Sequence, residues 1–260
     1  MTAVALNALR QGDGPSVLIA HGLFGSARNW GAIAKRLSSD FTVTTVDMRN
    51  HGESPRADTN GYEDMAADLN ALGGQGHVIG HSMGGKAAMM LALTHPERVN
   101  RLIVADIAPV TYTHTQTPLI DAMRAVDLSR VQSRGDADRQ LAEAVPEDAV
   151  RAFLLQSLDV KAQGWRLNLD VLAAEMDRII GFPDISEHRF EGPALFLSGA
   201  ESDYVQPEHR ARIRTLFPNA RFAKVTSAGH WLHAEKPKEF EASVRAFLQD
   251  EPPRGGVGAR

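Results

Sequence analysis

The sequence contains no cysteine. That absence removes disulfides, thiolate metal sites and a cysteine nucleophile together, so any nucleophile must be another residue type. Long hydrophobic runs are also missing. The most apolar stretch, Ala87 to Leu93, is far too short to span a bilayer, and Met1 to Arg10 has no basic region followed by an apolar run. The expectation is a soluble, unexported protein, cytoplasmic by default and without a membrane partner. Nor is there an excess of charge of one sign: 28 basic and 32 acidic residues are spread along the chain for a net charge of −4, with no electropositive stripe to attract nucleic acid. Small, uncharged or mildly polar molecules are the expected partners, and the chain is expected to be a monomer or homodimer.

What is present is enough for one sizeable core, with 43% hydrophobic content over 260 residues. Short β-rich or continuous apolar runs at Val17–Ala20, Phe41–Val46, His77–Gly80, Leu102–Ala105, Ala194–Leu197 and Arg221–Val225 alternate with helical stretches at Trp30–Leu37, Tyr62–Leu72, Met83–Thr94, Glu208–Leu216 and Pro237–Leu248. This rhythm predicts an α/β fold with a mostly parallel sheet flanked by helices. It breaks between Pro109 and Glu191, where helical spacing continues with no convincing strand. The predicted organisation is a core from residues 1–108 and 192–250, an all-helical cap insertion over 109–191, and a flexible tail over 251–260, where Pro, Gly and Arg leave little to bury. The bland alternative for the insertion is a set of helices that only stabilise a sheet edge.

The chemistry starts at Gly80-His81-Ser82-Met83-Gly84, between an apolar strand and a helical segment. A serine at the tip of such a sharp turn is presented outward in strained φ/ψ, and the glycines on either side let strand and helix pass closely. Ser82 is the candidate nucleophile. The Met83 N–H, at the helix start, points where a carbonyl oxygen would gain negative charge. A second such donor is expected from His21-Gly22-Leu23-Phe24-Gly25, which follows the first core strand; Leu23 is the candidate, with Phe24 beside it. An ordinary glycine-rich loop is the alternative.

A serine is a weak nucleophile at neutral pH and needs a base. Ala228-Gly229-His230-Trp231 places a histidine in a loop after the last strand, in the chain order nucleophile first and histidine last. His230 is therefore the candidate base. His81 adjoins Ser82 but should point away from it, as a packing or hydrogen-bonding residue. His77 and His81 lack a third ligand, so no metal site is expected. Asp47, Asn50 and His51 lie in another strand-to-helix loop and read as structural support.

With these residues in view, the chain resembles the α/β-hydrolase superfamily from about Val17 to Leu248. Asp47-Met-Arg-Asn50-His51-Gly52-Glu-Ser54-Pro55, the segment Gly80 to Ala87, and Ala228-Gly-His-Trp-Leu-His233-Ala-Glu-Lys-Pro237 resemble the YbfF-type bacterial esterases and the eukaryotic ABHD11-like hydrolases. The resemblance implies hydrolysis of short acyl esters, and in some cases acyl-CoA thioesters, without metal or organic cofactor. In many relatives the triad acid lies in Gly-x-x-Asp-x-x-Val after the strand Ala194–Leu197, but here that position holds Ser202. Asp203, one residue late, and Asp106, directly after Leu102–Ala105, both stay open. The resemblance favours Asp106, since the YbfF-like group takes its acid from the earlier strand as Asp-Ile-Ala-Pro; Ser202 would then hydrogen-bond the Asp–His pair.

Phe24, Trp165, Leu169 and Trp231 are candidate pocket walls, with Leu167 and Leu172 alongside; packing within the insertion is the alternative for the leucines and Trp165. Fold and triad do not choose a substrate. Cofactor-free perhydrolysis, carbon–carbon bond cleavage and a low-turnover ligand sensor therefore stand beside ester hydrolysis. Haloalkane dehalogenases and epoxide hydrolases place Asp where this chain has Ser82, which disfavours both.

Overall fold

The computed structural model describes residues 3–250; the expected flexible tail lies outside them. A seven-stranded sheet is built from β1 (Ala8–Gln11), β2 (Ser16–Ala20), β3 (Thr42–Val46), β4 (Gly76–His81), β5 (Val99–Ala105), β8 (Ala194–Gly199) and β9 (Ala220–Val225), in the spatial order β1-β3-β2-β4-β5-β8-β9. Only β1 runs antiparallel to its neighbour. Valine, isoleucine and leucine fill the central strands because both faces are covered, and β5 and β8 are buried almost throughout.

Helices close both faces. On one, α1 (Gly31–Leu37) and α11 (Pro237–Gln249) pack Ile33, Leu37, Phe240 and Val244 with Trp30 against Ile19, Ile79 and Ile103. On the other lie α2 (Tyr62–Ala71), α3 (Met83–Thr94) and α9 (His209–Leu216). Every residue of α3 from Met83 to Leu93 is buried. A helix apolar on all sides is expected where it is covered all round, here by the sheet, α2 and the segment between β5 and β8.

That intervening segment contains α4 (Thr117–Ala125), α5 (Arg134–Leu141), α6 (Asp148–Leu154), α7 (Leu169–Ala174) and α8 (Met176–Ile180). It is not all-helical, as the spacing suggested. Leu158–Asp159 (β6) and Gly164–Trp165 (β7) form a small antiparallel pair, too short for any period-2 pattern to register in the sequence. β1 also escaped the sequence reading, because its four residues are all exposed and carry no alternation.

The strand order reverses between β2 and β4: the chain builds outward through β3 on one side and through β5, β8 and β9 on the other. In open α/β sheets such a reversal opens a crevice beyond the carboxyl ends of the strands. The loops after β2 and β4 therefore meet there. Close passage at this point needs glycine, since a Cβ on Gly80 would come within 2.2 Å of the Gly84 carbonyl oxygen.

The loop after β3 is fastened by charge. Arg49 donates from Nε and Nη2 to Asp68 on α2 at 2.6 and 2.8 Å, and Asp68 also accepts the Val4 N–H at 2.7 Å. Both side chains of this pair are fully buried, so neither charge can recover hydration if its partner is removed. Asp68→Ala should destabilise the fold by about 3–5 kcal/mol. Asp170→Ala, which removes an exposed partner of Arg124, should leave the urea midpoint nearly unchanged. Equal midpoints for the two variants would show that the buried pair carries no special share of stability.

Candidate active site

β4 ends at His81 and α3 begins at Met83, leaving Ser82 alone to turn the chain at φ 52°, ψ −121°. This left-handed backbone is costly for a residue with a Cβ. It is held by the Ser82 N–H donating to Ala105 O at 3.0 Å and by Ser82 O accepting from Lys86 N, also at 3.0 Å. Ser82 lines a cavity of about 750 Å³ at the carboxyl ends of the strands. Met83, the first residue of α3, has its N–H among those a helix leaves without an internal acceptor.

The loop after β2 comes to the same cavity. Phe24 has φ 63°, and its N–H donates to His51 Nε2 at 3.2 Å. His51 in turn sends Nδ1–H to Arg49 O at 2.8 Å, while His21 gives Nδ1–H to Gly22 O at 2.7 Å and accepts Met48 N–H on Nε2 at 2.9 Å. Both rings must be neutral to act as donor on one nitrogen and acceptor on the other. Burial keeps them so: it lowers His21 below its ordinary 6.5 and, with the neighbouring His21, lowers His51 to about 3. Among the described residues the Leu23 N–H finds no acceptor within the protein.

His230 stands after β9, in a loop whose Gly229 and Trp231 N–H groups donate to Glu235 at 2.7 and 3.2 Å. Its Nδ1 donates to Asp106 Oδ2 at 2.7 Å, and its backbone carbonyl accepts His81 Nε2–H at 2.8 Å. His81 is thus a hydrogen-bonding residue beneath the loop, buried and held well below its usual pKa by that burial. Asp106 follows β5 in a left-handed turn of φ 53° and is fully buried. Its Oδ1 accepts Gly199 N–H at 3.0 Å, and Oδ2 also accepts Ser202 Oγ–H at 2.5 Å. Asp203 is exposed and bonds only Gln206. The structure brings Asp106, Ser202 and His230 together and leaves Asp203 outside.

Phe24 and Trp231 line the cavity, together with Met83, Leu119, Val150, Phe153 and Ile180. Trp165 and Leu169, expected as pocket walls, do not. Trp165 is buried inside the insertion with Nε1–H donating to Met123 O at 3.0 Å, and α7, which begins at Leu169, packs on α4. With Leu167 and Leu172 they belong to the buried cluster that joins the insertion to α2, α3 and the sheet. Lys86 was overlooked, although a lone lysine in the apolar run of α3 was a readable signal. Its Nζ donates to Val110, Ile180 and Gly181 carbonyls at 3.0, 2.8 and 2.6 Å, and burial lowers it to about 7. Among the described residues no group of three histidine or carboxylate side chains is placed to hold a metal, and no helix is long and apolar enough to cross a membrane.

The family model for the alpha/beta hydrolase fold matches residues 15–237. The chain belongs to the α/β-hydrolase family. It is 46% identical over 250 residues to the mouse protein named sn-1-specific diacylglycerol lipase ABHD11, covering 90% of this chain and 81% of the relative. It is 38% identical to Esterase YbfF of Escherichia coli, covering 95% and 98% of the two chains. A solved marine microorganism esterase superposes with a TM-score of 0.89 at 37% identity, over 95% of this α/β-hydrolase and the whole of that chain. These relatives are named as hydrolases of carboxylic esters, and ester hydrolysis is the chemistry they support for this chain.

His21, His51, His81 and His233 are all buried with pKa values lowered chiefly by desolvation, His51 and His233 to about 3. Unfolding lets each titrate near 6.5, so between about pH 6.5 and 3 the unfolded chain binds more protons than the folded one. The stability these groups contribute is whole above about pH 6.5 and is lost as pH falls through that window. Thermal midpoints should fall already between about pH 6.5 and 5, before carboxylates titrate. A midpoint unchanged across that interval would contradict the neutral-histidine scaffold.

Proposed function

We propose that this hydrolase cleaves carboxylic esters of short to medium acyl chain, and acyl-CoA thioesters by the same chemistry, through an acyl-enzyme on Ser82. The observation that carries the reading is the Asp106–His230 hydrogen bond beside a serine held at positive φ on the wall of the same cavity. Asp106 fixes the imidazole with Nδ1 protonated, which leaves Nε2 as the base. Ser82 Oγ attacks the acyl carbon as His230 takes its proton, and the Leu23 and Met83 N–H groups receive the oxyanion. The alcohol or thiol departs with the proton from His230; water then attacks the acyl carbon as His230 takes its proton, and His230 returns that proton to Ser82 Oγ as the acid is released. The chain's own groups supply every step, and no cofactor is called for.

Residues 109–191 act in this reading as a cap. Leu119, Val150, Phe153 and Ile180 of the insertion supply cavity wall opposite Phe24 and Met83, so the acyl chain lies between cap and core. A cavity of about 750 Å³ with a largely apolar lining suits a short to medium chain.

Ser82→Ala should abolish hydrolysis of p-nitrophenyl butyrate and labelling by a fluorophosphonate while leaving the fold intact. A retained rate would move the nucleophile elsewhere. Asp106→Asn should lower kcat by about 10³ to 10⁴, as loss of a triad acid does, whereas Asp203→Asn should cost less than about tenfold, because an exposed carboxylate bonded to Gln206 cannot orient His230. The reverse ranking would transfer the acid role to Asp203. Phe153→Ala should shift preference toward longer acyl chains in a competition series against the probe. Unchanged selectivity would remove the acyl chain from that wall.

A further inference from the structure

One hydrogen bond to Asp106 fixes the distance of His230 but leaves its ring free to rock about the Nδ1···Oδ2 direction. Rocking would carry Nε2 away from Ser82, so a second constraint on the ring plane is required. The structure supplies one. Tyr204 lies flat against His230, with ring centroids 4.0 Å apart and 20° between planes. His81 touches the ring at 4.7 Å with a 41° tilt, a looser constraint.

Tyr204 is itself tied at three points. Its N–H donates to Ser202 Oγ at 3.3 Å, its carbonyl accepts from Tyr112 Oη at 2.7 Å, and its own Oη is 2.9 Å from His114 Nε2. Tyr112 is anchored in turn, accepting Ala108 N–H on Oη at 2.9 Å and donating its N–H to Ile180 O at 3.0 Å. The ring is therefore fixed from both the Ser202 loop and the segment that leaves β5.

We propose that Tyr204 is a positioning residue for His230, setting the plane of the imidazole and favouring its protonated form by offering it the face of an electron-rich ring. This rests on the reading of His230 as the base. A cation over a tyrosine face is attracted to the negative face of the ring. That attraction is weak for the neutral imidazole and grows when His230 takes the Ser82 proton, so it favours the transition state over the ground state. The titratable groups around His230 are Asp106 after β5, His81 at the end of β4, His233 and Glu235 on α10 (Leu232–Glu235), His114 beyond β5 and Tyr204 itself. Burial keeps His81 and His233 from sharing its charge, and exposed His114 is also lowered from its ordinary value.

The test compares Tyr204→Leu, Tyr204→Met and Tyr204→Phe with the parent protein on p-nitrophenyl butyrate, following kcat, KM and the pH profile of kcat/KM. Loss of the aromatic face, in Leu and Met alike, should lower kcat about three- to thirty-fold at nearly constant KM. It should also move the acid limb of the profile to lower pH by about half a unit, because the imidazolium loses support. Phe keeps the face and should behave like the parent on both measures. A change confined to KM, or an acid limb that does not move in the Leu and Met variants, would make Tyr204 a pocket wall and overturn the proposal. Two side chains of different shape guard against a folding artefact, since both must shift the limb alike. His230→Ala in the same assay separates the two claims: if it retains activity the base assignment fails, whereas an inactive His230→Ala with an unmoved Tyr204→Leu profile defeats this proposal alone.

Discussion

The Asp106 carboxylate receives three donors from two distant stretches of chain: the Gly199 N–H at the end of β8 with the Ser202 hydroxyl just beyond it, and His230 Nδ1 after β9. The group is fully buried, and a buried carboxylate is stable only if its lone pairs are taken up in this way. Each donor therefore fixes the place of another. The left-handed turn at Asp106 aims the carboxylate across the top of β8. Ser202 donates to a carboxylate that stands at the end of the neighbouring strand β5, and the same loop carries Tyr204 to the face of His230.

The same logic of shared constraint operates under the loop after β2. His51 and His21 each bind one backbone N–H and one carbonyl, joining the loop after β2 to the loop after β3. The buried Arg49–Asp68 pair then holds the β3 loop to α2. The Phe24 and Met48 N–H groups are taken up by these rings and Gly25 N–H by Gly22 O, which fixes the loop around Leu23.

Much of this was legible in the sequence, for reasons tied to particular residues. The five strands between the edges, β3, β2, β4, β5 and β8, are covered on both faces and so read as apolar or β-branched runs; β1, an edge strand exposed at all four positions, left no such trace. Gly80 to Gly84 was readable because the tight passage of β4 past α3 excludes side chains at the glycines. The choice between Asp106 and Asp203 was not settled by spacing alone. It depends on which way a loop side chain points: Asp106 turns into the fold and meets His230 Nδ1 at 2.7 Å, whereas Asp203 is exposed. The pocket walls were misread at Trp165 and Leu169 because an apolar stripe on a helix or hairpin says that a face is covered, not by what. In the insertion that cover is α4 and its neighbours.

Lys86 joins these separate parts. It sits one turn into the helix that begins beside Ser82, and its three ammonium hydrogens meet the carbonyls of Val110, at the start of the insertion, and of Ile180 and Gly181, near its end. The rings of Tyr62 and Tyr112 lie within 5.7 and 4.8 Å of the same nitrogen. Burial pulls its pKa down to about 7, whereas three carbonyl dipoles and two aromatic faces favour the charged form. With all three donors engaged, the ammonium has no hydrogen left for a substrate carboxylate, although it lines the cavity. The neck of the insertion is fastened to the helix that follows Ser82, so Ile180 on the cavity wall and Ser82 keep a common frame. Tyr112, whose N–H meets the same Ile180 carbonyl and whose hydroxyl holds Tyr204, extends that frame to His230. Ser82, His230 and the cavity wall are thereby registered to one another through one buried lysine.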